Sequence, residues 1–255
     1  ALITFGDDTG WPVVLKTPRG GYDGKGVRIV DSAADAADTA DWFKTMSPLL
    51  AEAKVEFSRE LSALVARTPD GEARAWPVVH TIQVDGVCDE VIAPALDIPL
   101  EVAAAAENAA LRIASELGVT GVMAVELFET PGVGTGFLIN ELAMRPHNTG
   151  HWTQDGAVTS QFENHLRAVL GLPLGDTRMG VLVADVSGKG LAAALFMAVS
   201  KALYKSATLR AQNTDIGLLM SAANAEVSRD NPQMLFVTAF AGILDLDTGE
   251  LEYCN

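Results

Sequence analysis

Short apolar stretches recur along the chain, several of them bounded by glycine, proline or aspartate, and in FSRELSALVAR apolar and polar residues alternate. This pattern predicts strands over Trp11–Lys16, Val27–Val30, Leu49–Glu52, Phe57–Arg67, Ala73–Ile82 and Val87–Ala93. Pro69-Asp70-Gly71 and Asp85-Gly86 supply turns for an antiparallel meander. Helical periodicity predicts helices over Asp31–Met46, with Ser32 as N-cap and Trp42 and Phe43 on the apolar side, and over Leu100–Leu117, stopped by Gly118. Ser160–Leu170 is a third helix, ending at Gly171. From about Thr177 the character changes. A strand at Val181–Ala184 leads through DVSGKG (Asp185–Gly190) into helices at Leu191–Tyr204 and Thr214–Ser228. Strands at Phe236–Leu244 and Leu251–Cys254 follow.

The stretch with the most chemistry is Gly121–Gly156. Two apolar runs, Val122–Phe128 and Phe137–Ala143, flank Thr130–Gly136, which holds three glycines. That pattern predicts a β-hairpin. Folded about its centre, between Val133 and Gly134, it sets Glu126 opposite Glu141, with Ala124, Phe128, Ile139 and Ala143 on the same face. Directly opposed side chains have Cβ atoms about 4.5–5.5 Å apart. Two carboxylates that close need a proton, a basic partner or a divalent cation. The hairpin runs into Arg145, His147, Asn148, Thr149, His151 and Trp152, a dense set of donors. Carboxylates for a metal beside donors for an anion suit a phosphate-handling site.

A second feature is RGGYDGKG, Arg19–Gly26, between the first two strands. Its four glycines and the basic Lys16, Arg19 and Lys25 make a loop that can lay backbone N–H groups on phosphate oxygens. It is not a P-loop, because no Gly-Lys-Ser/Thr opens a helix. Lys16 ends an apolar strand, and an inward lysine needs an anionic partner.

Bulk properties narrow the classes. The 255 residues suffice for one large or two modest domains, and 49% hydrophobic content provides for a real core. A net charge of −15 argues against nonspecific nucleic-acid or acidic-membrane binding. Cys88 and Cys254 are far apart and in no metal-ligand spacing, which fits a reducing compartment. No signal pattern opens the chain, and the most apolar helical run, Leu191–Leu203, is too short to span a bilayer. The expectation is a soluble, cytoplasmic α+β protein with no nucleic-acid or membrane partner.

WPVVLKTPRGGYDGKG, LLAEAKVEFSRELS, GVMAVELFE and FLINELAMRPHNTGHWTQDGAVTSQFENHLRA together resemble the N5-carboxyaminoimidazole ribonucleotide synthases, ATP-grasp enzymes of purine biosynthesis. The likeness runs from about Gly10 to Thr177. It implies an ATP-grasp fold of two α+β subdomains, about residues 1–56 as a small lid and 57–178 as a larger part with the metal site. The family's N-terminal α/β domain, which contributes to the aminoimidazole nucleotide pocket, has no counterpart in this sequence.

The resemblance also implies roles. Lys16 would contact ATP phosphates, and the loop with Gly21, Tyr22, Asp23, Gly24 and Lys25 would close over them. Tyr22, Asp23 and Lys25 would also be within the reach of the aminoimidazole nucleotide. Glu52, Ala53 and Val55 would hold the adenine, Glu60 the ribose, and Asn140 the nucleotide. Glu126 and Glu141 would bind Mg²⁺; where many ATP-grasp enzymes have a further Asn, this chain has Ala143. Arg145, a planar fork, suits bicarbonate or carboxyphosphate, and His147, Asn148 and Thr149 would lie where substrate and intermediate meet, His147 and Asn148 as catalytic residues. His151 and Trp152 serve the loop or the ligand, and His80 and His165 serve structure. The implied reaction joins 5-aminoimidazole ribonucleotide, bicarbonate and ATP, giving N5-carboxyaminoimidazole ribonucleotide, ADP and phosphate. Relatives of this kind are often homodimers.

Residues 179–255 look different. VLVADVSGKGLAAALFMAVSKALYK and MLFVTAFAGILDLDTGELEYCN resemble metal-dependent serine/threonine phosphatases of the sporulation and stress-regulator type. The likeness implies a partial αββα sandwich in which Asp185 would bridge Mn²⁺ or Mg²⁺ ions. The family's other metal-binding aspartates have no counterpart here, so no phosphatase turnover is expected. The leading expectation is an ATP-grasp ligase, incomplete in this chain. The alternatives are a phosphatase acting through the C-terminal segment and a non-catalytic Mg-ATP-binding fragment of a chimeric chain.

Overall fold

A computed structural model describes residues 1–18, 26–45, 48–210, 215–229, 231, 234–246 and 248–255. The chain opens with helix α1 (Leu2–Thr9), then strands β1 (Val13–Lys16) and β2 (Val27–Val30). A 3-10 turn (Asp35–Thr39) enters α2 (Ala40–Thr45), followed by β3 (Leu50–Ala53), β4 (Arg59–Arg67), β5 (Ala73–Ala75), β6 (Val79–Val84) and β7 (Val87–Ile92). Next come α3 (Leu100–Glu116), β8 (Gly121–Glu129), β9 (Phe137–Ala143), a 3-10 turn at Asn148–Gly150, α4 (Thr153–Gly156) and α5 (Gln161–Val169). The chain finishes with β10 (Met179–Val186), α6 (Leu191–Arg210), α7 (Ile216–Arg229), β11 (Val237–Leu244) and β12 (Leu251–Cys254). Among the described residues the strands form three sheets, ordered β2-β1-β3, β7-β6-β4-β8-β9 with β5 on β4, and β10-β11-β12.

Several elements differ from the periodicity. The helix expected over Asp31–Met46 is shorter. Thr39 donates its hydroxyl to the Ala36 carbonyl three residues back, which suits the tighter 3-10 turn. The strand expected over Ala73–Ile82 is cut in two at Pro77, which has no N–H for a ladder. Helix α1 has no counterpart in the sequence reading. Its Gly6 lies against the Trp11 ring, where no Cβ would fit.

The chain divides into two compact units. The first comprises Ala1–Glu60, Thr81–Val91 and Phe128–Leu138. Its core joins Leu15 and Val30 of the small sheet to Trp42. Arg28 lies over the Trp42 ring at 4.2 Å while its guanidinium pairs with Asp41 at 3.1 Å, so one side chain closes the helix onto the sheet. Ser58 and Arg59 hold the buried Glu129 carboxylate, at 2.8 and 2.7 Å.

The second unit comprises Leu61–His80, Ile92–Leu127 and Ile139–Asn255. Its core gathers Leu64, Ala66 and Trp76 with Val122, Ala124, Ala157, Ala168 and Leu174, and Ala143 and Trp152 pack against it. Trp76 is fully buried and its indole N–H donates to the Thr159 carbonyl at 3.1 Å, so the ring fills the core without orphaning its polar atom. Ala106, Ala110 and Ala114 form the buried stripe of α3. In the C-terminal part, β10 and β12 flank β11, and α6 packs against α7. A cavity of about 750 Å³ lies between these helices and the sheet, lined by Leu182, Met197, Leu219 and Ile243 among others.

Candidate active site

Strands β8 and β9 are neighbours in their sheet, as the apolar runs predict. Their connection is closed by the Thr130 N–H donating to the Gly136 carbonyl at 2.8 Å. Gly132, Gly134 and Gly136 have φ of 79°, 56° and 90°, values that side-chain-bearing residues rarely adopt.

The second unit's core identifies one face of this sheet. It takes Leu64 and Ala66 from β4, Val122 and Ala124 from β8, and Ala143 from β9. Side chains alternate across a strand, so residues two positions away from these share their face. They are Ser62 on β4, Glu126 on β8 and Glu141 on β9. The face is apolar at one end and carries two carboxylates and a hydroxyl at the other. The Glu126 side chain keeps 18% of its exposure, while Glu141 is exposed.

The segment after β9 folds back as a tightly held loop. Gln161, fully buried at the start of α5, clamps the His147 backbone. It accepts from the His147 N–H at 2.9 Å and donates to the His147 carbonyl at 2.7 Å. Thr153 continues the frame, accepting from the Gln161 N–H at 2.9 Å and donating to the Gly150 carbonyl at 2.6 Å. Ser160 caps α5 by accepting from the Glu163 N–H, which fixes where Gln161 begins the helix. None of these polar residues stands out in the sequence. Only the Ser-x-x-Glu spacing at Ser160 signals a helix start.

The clamp aims the His147 ring. Its Nε2 lies 3.3 Å from Glu126 Oε1, and its Nδ1 lies 3.0 Å from Thr149 Oγ1. Thr149 Oγ1 in turn is 2.8 Å from Ser62 Oγ. Burial, with Arg145 and His151 nearby, lowers the His147 pKa from 6.5 to about 4. The ring is therefore neutral at physiological pH and does not itself neutralise Glu126.

The remaining expected residues fall into three groups. In the second unit, Arg145 is exposed and donates to the Pro146 carbonyl at 3.1 Å. Asn148 accepts from the Thr149 N–H at 3.0 Å, and Asn140 is half-buried on β9. His151 stacks on Phe162, and Trp152 packs on the core. His165 accepts from the Val122 N–H at 3.1 Å, a structural contact. In the first unit, Lys16 Nζ pairs with Glu52 Oε2 at 2.7 Å, Ala53 is exposed, and Val55 and Glu60 are half-buried. Gly21, Tyr22, Asp23, Gly24 and Lys25 lie outside the described residues.

Asp185 is exposed on β10, opposite Thr238 of β11. Beyond it, Ser187 and Phe236 exchange two hydrogen bonds, each at 2.8 Å, and Gly188 and Gly190 both have φ of 89°. Among the described residues, no group of three or more His, Cys, Asp or Glu side chains could hold a metal ion. None of the described helices is long and apolar enough to cross a membrane.

Two neighbouring strands thus carry acids on a shared face, and a clamped donor loop follows them. The family model for the ATP-grasp domain matches residues 1–162, and the chain belongs to that family. Its relatives include the N5-carboxyaminoimidazole ribonucleotide synthase of Mycobacterium leprae, 59% identical over 167 residues. That alignment covers 65% of this chain and 38% of the relative. A solved purK, an N5-carboxyaminoimidazole ribonucleotide synthetase in complex with ADP, is 40% identical with a TM-score of 0.63, covering 70% of this chain and 47% of that one. The Aspergillus clavatus enzyme, solved with ADP and 5-aminoimidazole ribonucleotide, is 30% identical with a TM-score of 0.62, covering 77% and 51%. The chain thus spans 38% of the length of the first of these relatives and about half of the solved chains. Residues 175–255 match a second family model, stage II sporulation protein E.

Proposed function

We propose that this chain binds ATP with Mg²⁺ and belongs to a carboxylating ligase. The reaction would join 5-aminoimidazole ribonucleotide, bicarbonate and ATP, giving N5-carboxyaminoimidazole ribonucleotide, ADP and phosphate. The observation that carries the reading is the acid-bearing end of the β8–β9 face, with a donor loop clamped directly after it. Two carboxylates beside a neutral imidazole make a hard-oxygen donor set that fits Mg²⁺. Bound through Glu126 and Glu141, the ion would neutralise phosphate charge and favour in-line attack on the γ-phosphoryl group.

The chain's own residues supply the rest. Lys16 brings a point charge for phosphate oxygens, and Gly21, Tyr22, Asp23, Gly24 and Lys25 the loop over them. Glu52, Ala53, Val55, Glu60 and Asn140 serve the nucleoside. Arg145 offers a planar fork for bicarbonate or carboxyphosphate. Asn148 adds a hydrogen-bonding group near the reacting anion without adding charge, and His147 acts beside it through Glu126, which its ring faces. Cytoplasmic location and a homodimer belong to the same proposal, and light scattering on the purified chain reads the second.

The test is ADP formation by the purified chain, with and without bicarbonate and 5-aminoimidazole ribonucleotide. ADP release that requires bicarbonate, and is lost in Glu126→Gln and Glu141→Gln, is expected. Mg-ATP binding without bicarbonate-dependent turnover would reduce the chain to a nucleotide-binding module. Failure to bind Mg-ATP at all would overturn the reading.

A further inference from the structure

Three side chains from different elements form a buried line ending at Glu126. Ser62 on β4 and Thr149 after β9 are each 1% exposed, and His147 is 6% exposed, so bulk water does not compete for their hydrogen bonds. The spacings are 2.8 Å from Ser62 Oγ to Thr149 Oγ1, 3.0 Å from Thr149 Oγ1 to His147 Nδ1, and 3.3 Å from His147 Nε2 to Glu126 Oε1.

The chemistry of each group gives this line a direction. An ionised carboxylate has only acceptor sites, so a bare nitrogen lone pair facing Glu126 at 3.3 Å would repel it. The ring proton therefore belongs on Nε2. In a neutral imidazole the other nitrogen is then an acceptor, and the hydroxyl beside it must be the donor. Thr149 has spent its single proton on Nδ1, so its oxygen accepts from Ser62. Gln161 holds both the N–H and the carbonyl of His147, which steadies the backbone that carries the ring.

We propose that Thr149, backed by Ser62, is a positioning residue that fixes the His147 imidazole in its Nε2–H form, so that the ring steadies the Glu126 carboxylate as a cation ligand. The proposal deepens the ligase reading and rests on it for its consequence. Neither hydroxyl touches substrate; both act through the ring. Outer partners that orient ligating groups in this way typically change metal affinity about 10–100-fold when removed.

The test begins with ¹⁵N imidazole NMR on the full chain, with His147 assigned by comparison with His147→Gln. The expected wild-type spectrum is a neutral Nε2–H ring. In Thr149→Val, which keeps the shape and removes the donor, the tautomer population is expected to move toward Nδ1–H. Mn²⁺-ATP affinity, read by titration calorimetry, is expected to fall roughly tenfold. Thr149→Ser should restore both readouts, and Ser62→Ala should shift both in the same direction by less. An Nδ1–H ring in the wild type overturns the proposal without any variant, so a Thr149→Val that fails to fold does not shelter it. Unchanged tautomer and affinity in Thr149→Val overturn it as well. A wild-type Nε2–H ring that responds to Thr149→Val, in a chain that binds no Mn²⁺-ATP, supports the positioning role and sinks the ligase reading instead.

Discussion

Lys16 and Glu52 meet across neighbouring strands, Nζ to Oε2 at 2.7 Å, one reaching diagonally past the other's register partner. Lys16 thus already has an anionic partner within its own sheet. If Lys16 is to serve phosphate, it must exchange that carboxylate for the nucleotide. Lys16→Met is expected to weaken ATP binding about tenfold, roughly 1.4 kcal/mol, for a charge that is partly solvated. Glu52→Gln should tighten binding of tripolyphosphate, which has phosphates but no adenine, a few-fold. Calorimetry with both ligands checks the exchange; unchanged tripolyphosphate affinity in Glu52→Gln counts against it.

His147 gives the site a pH dependence with a definite sign. Its folded pKa, about 4, lies below its ordinary 6.5. Between those values the unfolded chain binds a proton that the folded chain refuses. The stability tied to the neutral ring is therefore complete above pH 6.5, declines as pH falls toward 4, and changes no further below that. Urea midpoints measured across this window should fall more steeply for the wild type than for His147→Gln. Parallel curves would mean the ring titrates normally.

Gly150 is the place where the donor loop can be disturbed without touching a reacting group. A Cβ there would stand 2.6 Å from both Gln161 Oε1 and Leu64 Cδ2. Overpacking of this kind costs about 1–3 kcal/mol, so Gly150→Ala should lower the denaturation midpoint accordingly. Gln161→Leu leaves the His147 N–H and carbonyl without their partner, at about 1–3 kcal/mol for each buried group. The two changes act on one contact, so the double variant should lose less than the sum of the singles. Strict additivity in denaturation would show that Gln161 and Gly150 do not share that contact.

Local features of the chain were readable in advance, and long-range ones were not. The β8–β9 pair follows from two apolar runs around three glycines, because strand period and positive-φ residues are local properties. The break at Pro77 is equally local and follows from the missing N–H, yet the expected strand ran straight through it. Gln161 is different. In SQFENHL it reads as an exposed helix residue, yet it is fully buried because the His147 backbone, fourteen positions earlier, needs a donor and an acceptor. Ser62 is likewise an ordinary strand serine until β4 is set beside β8 and its hydroxyl meets Thr149, 87 residues on. Polar residues that satisfy distant partners leave no periodic trace. Helix α1 escaped for a related reason, since Gly6 is explained by the Trp11 ring rather than by helix propensity.

The C-terminal segment is expected to be silent as a phosphatase. The turn after β10 runs through Gly188 and Gly190 into α6, and two Ser187–Phe236 hydrogen bonds close it. Dinuclear hydrolysis nevertheless needs several carboxylates around a pair of ions. Asp185, exposed on β10, supplies one. A phosphoserine peptide or p-nitrophenyl phosphate with Mn²⁺ should therefore release no phosphate above background. Asp185→Ala should leave Mn²⁺ uptake by the chain unchanged, whereas Glu126→Gln should reduce it in the presence of ATP. Phosphate release that disappears in Asp185→Ala would show that this strand can assemble a working dinuclear centre, and would make the C-terminal segment an active site in its own right.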